Sequence, residues 1–398
     1  MAEAKSMVGG LRFDRLELAG SVGDLGTLLP IVVGMILVNG LSPTTVFLAF
    51  GIFYIVAGLF YRLPVPVQPL KAVGAIAIAY PERITEPVIG AAGTIFGALL
   101  LVFALTGLVD RLARLFTPPV VRGIQLALGL VFLRKGVQLI TGDQLFLSGQ
   151  VGRLEAWHSN LAVGLLAFGL VLALLDNKKV PAALATLGFG ALAGLALGGV
   201  GDRPLAMGPT RVQLVAATAQ DFWTAFVLLV LPQIPLTIGN ACVGTADTCA
   251  SLFPGHPLLG KAKAGTFALT MGLVNLPAGL FGAVPMCHGT GGLAAHYRFG
   301  ARTGGAPVLI GAGLVVLGLT LGEVGLAILT LIPNGVLGVL LIFAGLELCP
   351  LVRNLKSNEE YFVALLISGI ALALPNMAWA FGAGILVDLA IRRFGIRI

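Results

Sequence analysis

Charge is what this sequence has least of. Only 11% of its 398 residues are Asp, Glu, Lys or Arg, while 57% are hydrophobic. An ordinary soluble domain carries about 25% charged residues. The scarcity excludes a single water-facing globule, which could not bury so much apolar surface, and makes lipid the solvent. Cysteine is almost as sparse. Cys242, Cys249, Cys287 and Cys349 lie in or beside apolar stretches without CxxC spacing, which argues against a disulfide framework or a zinc site. Cys242 and Cys249 read as packing residues. Neither HExxH nor GxSxG occurs, so Cys287-His288 has no enzymatic context; no enzyme, metal or cofactor is expected. A cleavable signal pattern is also missing: Met1 to Gly10 is mildly polar, and Leu11 to Glu17 reads as a short amphipathic lead-in. The net charge of +7 is scattered between apolar runs, which excludes a nucleic-acid patch.

What the chain has in plenty is glycine, 55 residues, and proline, 22. Small residues let membrane helices pack closely, and broken helices are tolerated inside a bundle. Apolar segments fall near 18–38, 44–61, 64–80, 88–108, 118–133, 159–175, 180–200, 221–253, 263–282, 284–297, 306–322, 324–348, 361–375 and 376–392. These predict an all-α polytopic membrane protein of about fourteen spans, with 221–253 one long or bent helix. The segments 64–80 and 284–297 are too short and too Pro/Gly-broken for a plain crossing of a ~30 Å core. With both termini in the cytoplasm, 18 basic residues, Arg122 among them, fall on inner segments. Six fall outside, including Arg134 and Lys135, and Lys71 remains in the membrane. That bias fits an even span count in the cell inner membrane.

The chain also repeats itself. Ser21-Val-Gly-Asp-Leu-Gly-Thr27 matches Cys242-Val-Gly-Thr-Ala-Asp-Thr248 at an offset of 221. Ala57-Gly-Leu-Phe60 with Pro64 matches Ala278-Gly-Leu-Phe281 with Pro285, and Ile89-Gly-Ala91 matches Ile310-Gly-Ala312, both at the same offset. Seven spans per copy, an odd number, invert the second copy, which is the plan of many secondary transporters. The expected layout is a lead-in over 1–17, a first repeat over 18–200 and a second over 201–398.

In that plan, paired broken segments mark the substrate site. Here they are Pro64 to Lys71 and Pro285 to Gly292, each read as an extended stretch followed by a half-helix. A half-helix that starts in mid-membrane aims free N–H groups and a partial positive charge into the site, which suits an anion. Gly289, Gly291 and Gly292 allow close backbone approach, Thr290 and Gln68 offer side-chain donors, and Lys71 supplies a cation. Among intramembrane acids, Asp24 and Asp247 lie in the matching motifs and stand as coupling or gating candidates with Thr245 and Thr248. Asp247 is expected to face the core and to take up a proton with the substrate; the competing reading pairs it, or Asp24, with Lys71. For His288 the competing reading is a ring satisfied by backbone carbonyls. His296 and Glu347 are expected near the cytoplasmic end in structural roles.

Three stretches, GSVGDLGTLLPI (20–31), PVPVQPLKAVGAIAIA (64–79) and FGAVPMCHGTGGLAAHYRFGARTGG (281–305), resemble the signatures of the molybdate transporter family, a relative of the sulfate permeases and, more distantly, of nucleobase transporters. The resemblance implies a core domain from spans 1–4 and 8–11, a gate domain from spans 5–7 and 12–14, and elevator-like movement of the core with the anion. It assigns signature positions to Gln68, Pro69, Lys71, Pro285, Cys287, His288, Gly289, Gly291 and Gly292. Thr290 departs from the small residue expected there. The end of the chain soon after the last span favours the molybdate branch. Molybdate is the expected substrate and lipid the surroundings, with sulfate, tungstate, a nucleobase-permease reading, an anion channel and a homodimer left open.

Overall fold

Proline and glycine set where the helices break. The computed structural model describes residues 10–147, 156–175, 177, 180–198, 207–374 and 376–398. The first nine residues of the lead-in, the basic residues Arg153, Lys178, Lys179 and Arg203, and the repeat boundary at 200/201 lie outside them. Helix α1 (Arg15–Ser21) and helix α2 (Leu25–Asn39) form one span bent by 43° at Val22-Gly23-Asp24. Glu17 on α1 is no exposed lead-in residue: it is buried and accepts from the backbone N–H groups of Arg302, Thr303 and Ala306, at 3.0, 2.9 and 3.2 Å. Helix α3 (Pro43–Tyr61) starts with Ser42 accepting from Thr45 N–H and Pro43 in its first turn, as helix starts prefer. The chain then runs extended through Pro64, Pro66 and Pro69. It contributes strand β1 (Gln68–Pro69), the half-helix α4 (Lys71–Ala79), α5 (Glu86–Thr106), the short amphipathic α6 (Leu108–Leu115), α7 (Pro118–Ile140), α8 (Ala156–Leu174) and α9 (Ala182–Ala196).

The second half mirrors this order. Helix α10 (Ala219–Leu252) is one continuous 34-residue helix, as expected, but it widens to π-helix over Phe226–Val230 and Thr237–Gly244, around Pro232 and Pro235. A proline cannot donate to the preceding turn, and a π-turn absorbs the missing bond. Then come α11 (Ala264–Leu280), β2 (Met286–Cys287), the half-helix α12 (Thr290–Arg298), α13 (Gly305–Thr320), α14 (Gly322–Thr330), α15 (Asn334–Leu348), α16 (Asn358–Ala373) and α17 (Met377–Phe394). Helices α3 and α11 begin 221 residues apart. Among the described residues, fourteen crossings or half-crossings result when α1–α2 and α10 each count once and the short α6 and α14 are set aside.

Two boundaries differ from expectation. The stretch 324–348 is not one span: α14 turns 87° from α13 and α15 starts separately after Pro333. Helix α7 continues to Ile140, so Arg122, Arg134 and Lys135 ride on it rather than on loops. Taking them out of the expected tally leaves 17 basic residues on the inner segments and 4 on the outer.

Packing follows the repeat. Helix α3 packs most extensively on α13, and its mate α11 packs on α5, the mate of α13. In the same way α7 packs on α15 and α16, while α15 also packs on α8. Paired glycines permit the crossings. A Cβ at Gly51 would sit 2.7 Å from the Gly311 carbonyl, and one at Gly311 would sit 2.6 Å from the Gly51 carbonyl. Gly90 and Gly279 relate likewise across α5 and α11, and Gly136 and Gly338 across α7 and α15.

Candidate functional site

Strands β1 and β2 are the two broken segments, and they meet. Gln68 pairs with Cys287 and Pro69 with Met286 in an antiparallel register, one strand from each repeat. Leu70 N–H extends the pairing to the Pro285 carbonyl at 2.8 Å. Prolines on both strands leave backbone groups that side chains must satisfy. Asn275 on α11 holds Met286 at both ends, accepting from its N–H at 2.7 Å and donating to its carbonyl at 2.6 Å. His288 Nδ1 lies 2.8 Å from the Pro66 carbonyl and His296 Nδ1 lies 3.0 Å from the Pro64 carbonyl. With Nδ1 as donor, His288 Nε2 accepts from Thr270 Oγ1 at 3.2 Å, and Tyr61 reaches Thr270 in turn at 2.8 Å. The ring is also enclosed by Phe53, Tyr61 and Phe267. His288 therefore positions the 64–69 strand, and the structure gives its ring the protein partners of the competing reading. His296 is fully buried at the same strand.

The two half-helix starts differ. At α4, Ala72 N–H is already taken by Gln233 Oε1 at 2.8 Å, and Gln233 is braced by Thr237. At α12, the first-turn N–H groups of Thr290, Gly291 and Gly292 have no intrahelical partner, as at every helix start, and no described residue accepts from them. Gly291 is exposed, with no heavy atom within 4 Å of where its Cβ would be. Thr290 lines a cavity of about 300 Å³ together with Arg122, Asn240, Gly239, Gly244 and an apolar wall from α6 and α7. Its hydroxyl donates to Asn240 Oδ1 at 2.9 Å.

Behind α12 lies a carboxylate–amide couple. Asp24 is 2% exposed, and Gln68 Nε2 donates to both of its oxygens, at 2.7 and 2.9 Å. Gln68 Oε1 is buried without a partner, and it lies against Gly289. A Cβ at Gly292 would fall 2.5 Å from Asp24 Oδ2 and 2.7 Å from Gln68 Nε2, so glycine is required there by contact. Lys71 is half-buried, within electrostatic reach of Asp24, Glu347 and Cys287, yet no described residue pairs with it. The competing reading of a Lys71 ion pair with Asp24 or Asp247 is therefore not realised. Cys287 is buried, its thiol 3.9 Å from the Pro69 carbonyl.

Two placements correct the sequence reading. Asp247 is exposed on α10 and does not face the core. At the gap-free offset of 221 the mate of Asp24 is Thr245, which is buried and donates to the Asn240 carbonyl at 3.1 Å. Thr248 turns back on its own helix, to the Gly244 carbonyl. Glu347 accepts from Thr27 of α2, three residues after Asp24, at 3.2 Å and is exposed. Gln233, Asn240 and Asn275 are missing from the sequence reading, and Arg122 entered it only as a basic residue of an inner segment. Neutral amides inside apolar spans, which need partners in lipid, are the signal that would have found the first three.

Paired inverted repeats crossing at two broken segments define the class: a multi-pass membrane transporter of the seven-plus-seven inverted-repeat fold. Solved structures share it. The transmembrane domain of the cyanobacterial bicarbonate transporter BicA superposes with a TM-score of 0.65 at 17% identity, covering 94% of this chain and 96% of that one. The murine solute carrier 26 family member A9 anion transporter, in its inward-facing state, gives 0.67 at 15% identity over 97% of this chain and 69% of that one. The chain belongs to the molybdate transporter family, whose pattern, described as the molybdate transporter of the MFS superfamily, matches residues 16–132 and 225–348. Molybdate transporter 2 of Arabidopsis thaliana is 32% identical over 94% of this chain and 87% of its own length. Major facilitator proteins have six-span halves with nested three-span repeats. The seven-span halves seen here share the fold of the bicarbonate and anion transporters instead.

Proposed function

We propose that the protein is a secondary active transporter of a tetrahedral oxyanion, molybdate ahead of sulfate and tungstate, working by elevator-like alternating access with proton uptake. The observation that carries the reading is the open start of α12, where Thr290, the first of the residues with free N–H donors, lines a cavity of about 300 Å³. Such donors replace the hydration of an anion. The names of the relatives favour molybdate. The packing groups, α3, α5, α11 and α13 on one side and α7, α8, α15 and α16 on the other, support a core that moves against a gate, with the site between them. The basic bias supports cytoplasmic termini and an inner-membrane location.

The coupling acid in this reading is Asp24 rather than Asp247, because Asp24 is buried and tied to the site through Gln68. Lys71, Glu347, Tyr54 and Cys287 surround it. Protonated Asp24 can donate to Gln68 Oε1 after an amide flip, which would give that orphaned acceptor a partner. Calorimetric titration of the purified protein tests the substrate reading. Micromolar molybdate binding with weaker sulfate competition is expected, and absence of binding by any tetrahedral oxyanion would overturn it.

A further inference from the structure

The cavity at the head of α12 is lined by donors and by no acid. Arg122 enters it from α7, four residues after the helix begins at Pro118. One arm of its guanidinium, Nη1, donates to Gln125 Oε1 at 2.8 Å. Gln125 is 2% exposed and neutral, so it orients the guanidinium without cancelling its charge. Among the described residues Arg122 has no carboxylate partner, and no Asp or Glu lines the cavity. Across from it, Asn240 uses its carbonyl oxygen to accept from Thr290, which leaves its amide N–H groups without an acceptor among the described residues. A half-buried cation among unused donors is costly unless an anion completes the site.

We infer that Arg122 is the residue that reads the charge of the transported anion. From α7 it supplies the guanidinium that offsets one of the two charges of a divalent tetrahedral oxyanion, while Thr290 and the first turn of α12 hold the same anion from the other side. Gln125 acts as its positioning residue. The planar fork of arginine matches two oxygens of a tetrahedral oxyanion, which a lysine ammonium cannot do. Helix α12 packs on α10 and α1 while Arg122 comes from α7, so the anion bridges α7 and α12 when it is bound.

The inference rests on the oxyanion reading of this cavity, and the test separates the two. Perrhenate has the tetrahedral shape of molybdate with one charge fewer. Wild-type protein, Arg122→Gln and Arg122→Lys are titrated with both anions. The wild type is expected to prefer molybdate by about tenfold or more, the scale of a charge-assisted pair. Arg122→Gln should lose about tenfold in molybdate affinity while perrhenate changes far less, and Arg122→Lys should fall between. An unchanged molybdate-to-perrhenate ratio in Arg122→Gln overturns the inference and leaves the oxyanion reading standing. A wild type that binds neither anion overturns the oxyanion reading, and the inference with it. If the Arg122 variants fail to fold, Ala113→Cys marks the same cavity without touching the charge. Molybdate should slow its alkylation, measured above the background of the native thiols, and no slowing overturns the inference.

Discussion

Asp24 and Lys71 carry opposite charges near one site, and each makes a separable prediction. A carboxylate within about 8 Å of an anion costs about 2 kcal/mol per unit of charge at an effective dielectric of ~20. A proton on Asp24 removes that cost, so molybdate should bind more tightly as pH falls in the wild type. Asp24→Asn keeps an acceptor for Gln68 and is permanently neutral. It should bind molybdate with a flat pH profile and lose proton-driven accumulation; a pH profile as steep as wild type would remove Asp24 from the coupling step. Lys71→Ala should weaken molybdate binding about tenfold, read by the same titration, because no described residue competes for its ammonium. Lys71 and Asp24 were legible as intramembrane charges. Asp247 misled because a motif match is weaker than a register: counted without gaps, position 247 is the mate of Gly26. Arg122 was hidden by a helix end, since hydropathy does not show whether a cation near a boundary points to the headgroups or into a cavity.

Among the elements, the crossings were less legible than the helices. Glycine was abundant, but only the structure shows which glycines meet a carbonyl across an interface. Gly311→Val should be costly, because its branched side chain would have to displace the backbone of α3 at Gly51. Overpacking of this kind costs about 1–3 kcal/mol or more, and thermal unfolding in detergent should show the loss. Gly313→Ala, two residues on and with nothing within 4 Å of its Cβ, should unfold at or slightly above the wild-type temperature. Equal midpoints for Gly311→Val and Gly313→Ala would remove the crossing argument. The split of 324–348 escaped the sequence because α14 and α15 are both apolar, and the turn depends on Pro333 and on packing against α3 and α8. In α10 the reading of one bent helix was right, while the π-turns that place Asn240 in the cavity depend on prolines a turn or more away.

For the whole molecule, the repeat and its site were the most legible features, because the same physics was written twice at one offset. The seven-plus-seven plan and the meeting of the two broken segments follow from it. The asymmetry between the copies was not written there: Gln233 occupies one half-helix start, while the other opens on a cavity holding Arg122. In the proposed reading, that asymmetry has the anion held chiefly by α12. The most direct test of the account is molybdate uptake into proteoliposomes, measured by mass detection against an imposed pH gradient with sulfate as competitor. The account predicts saturable uptake that rises above equilibrium when the outside is acidic, is inhibited only weakly by sulfate, and collapses when the gradient is dissipated. Uptake that is absent, or that grows linearly with concentration and never exceeds equilibrium, would contradict it.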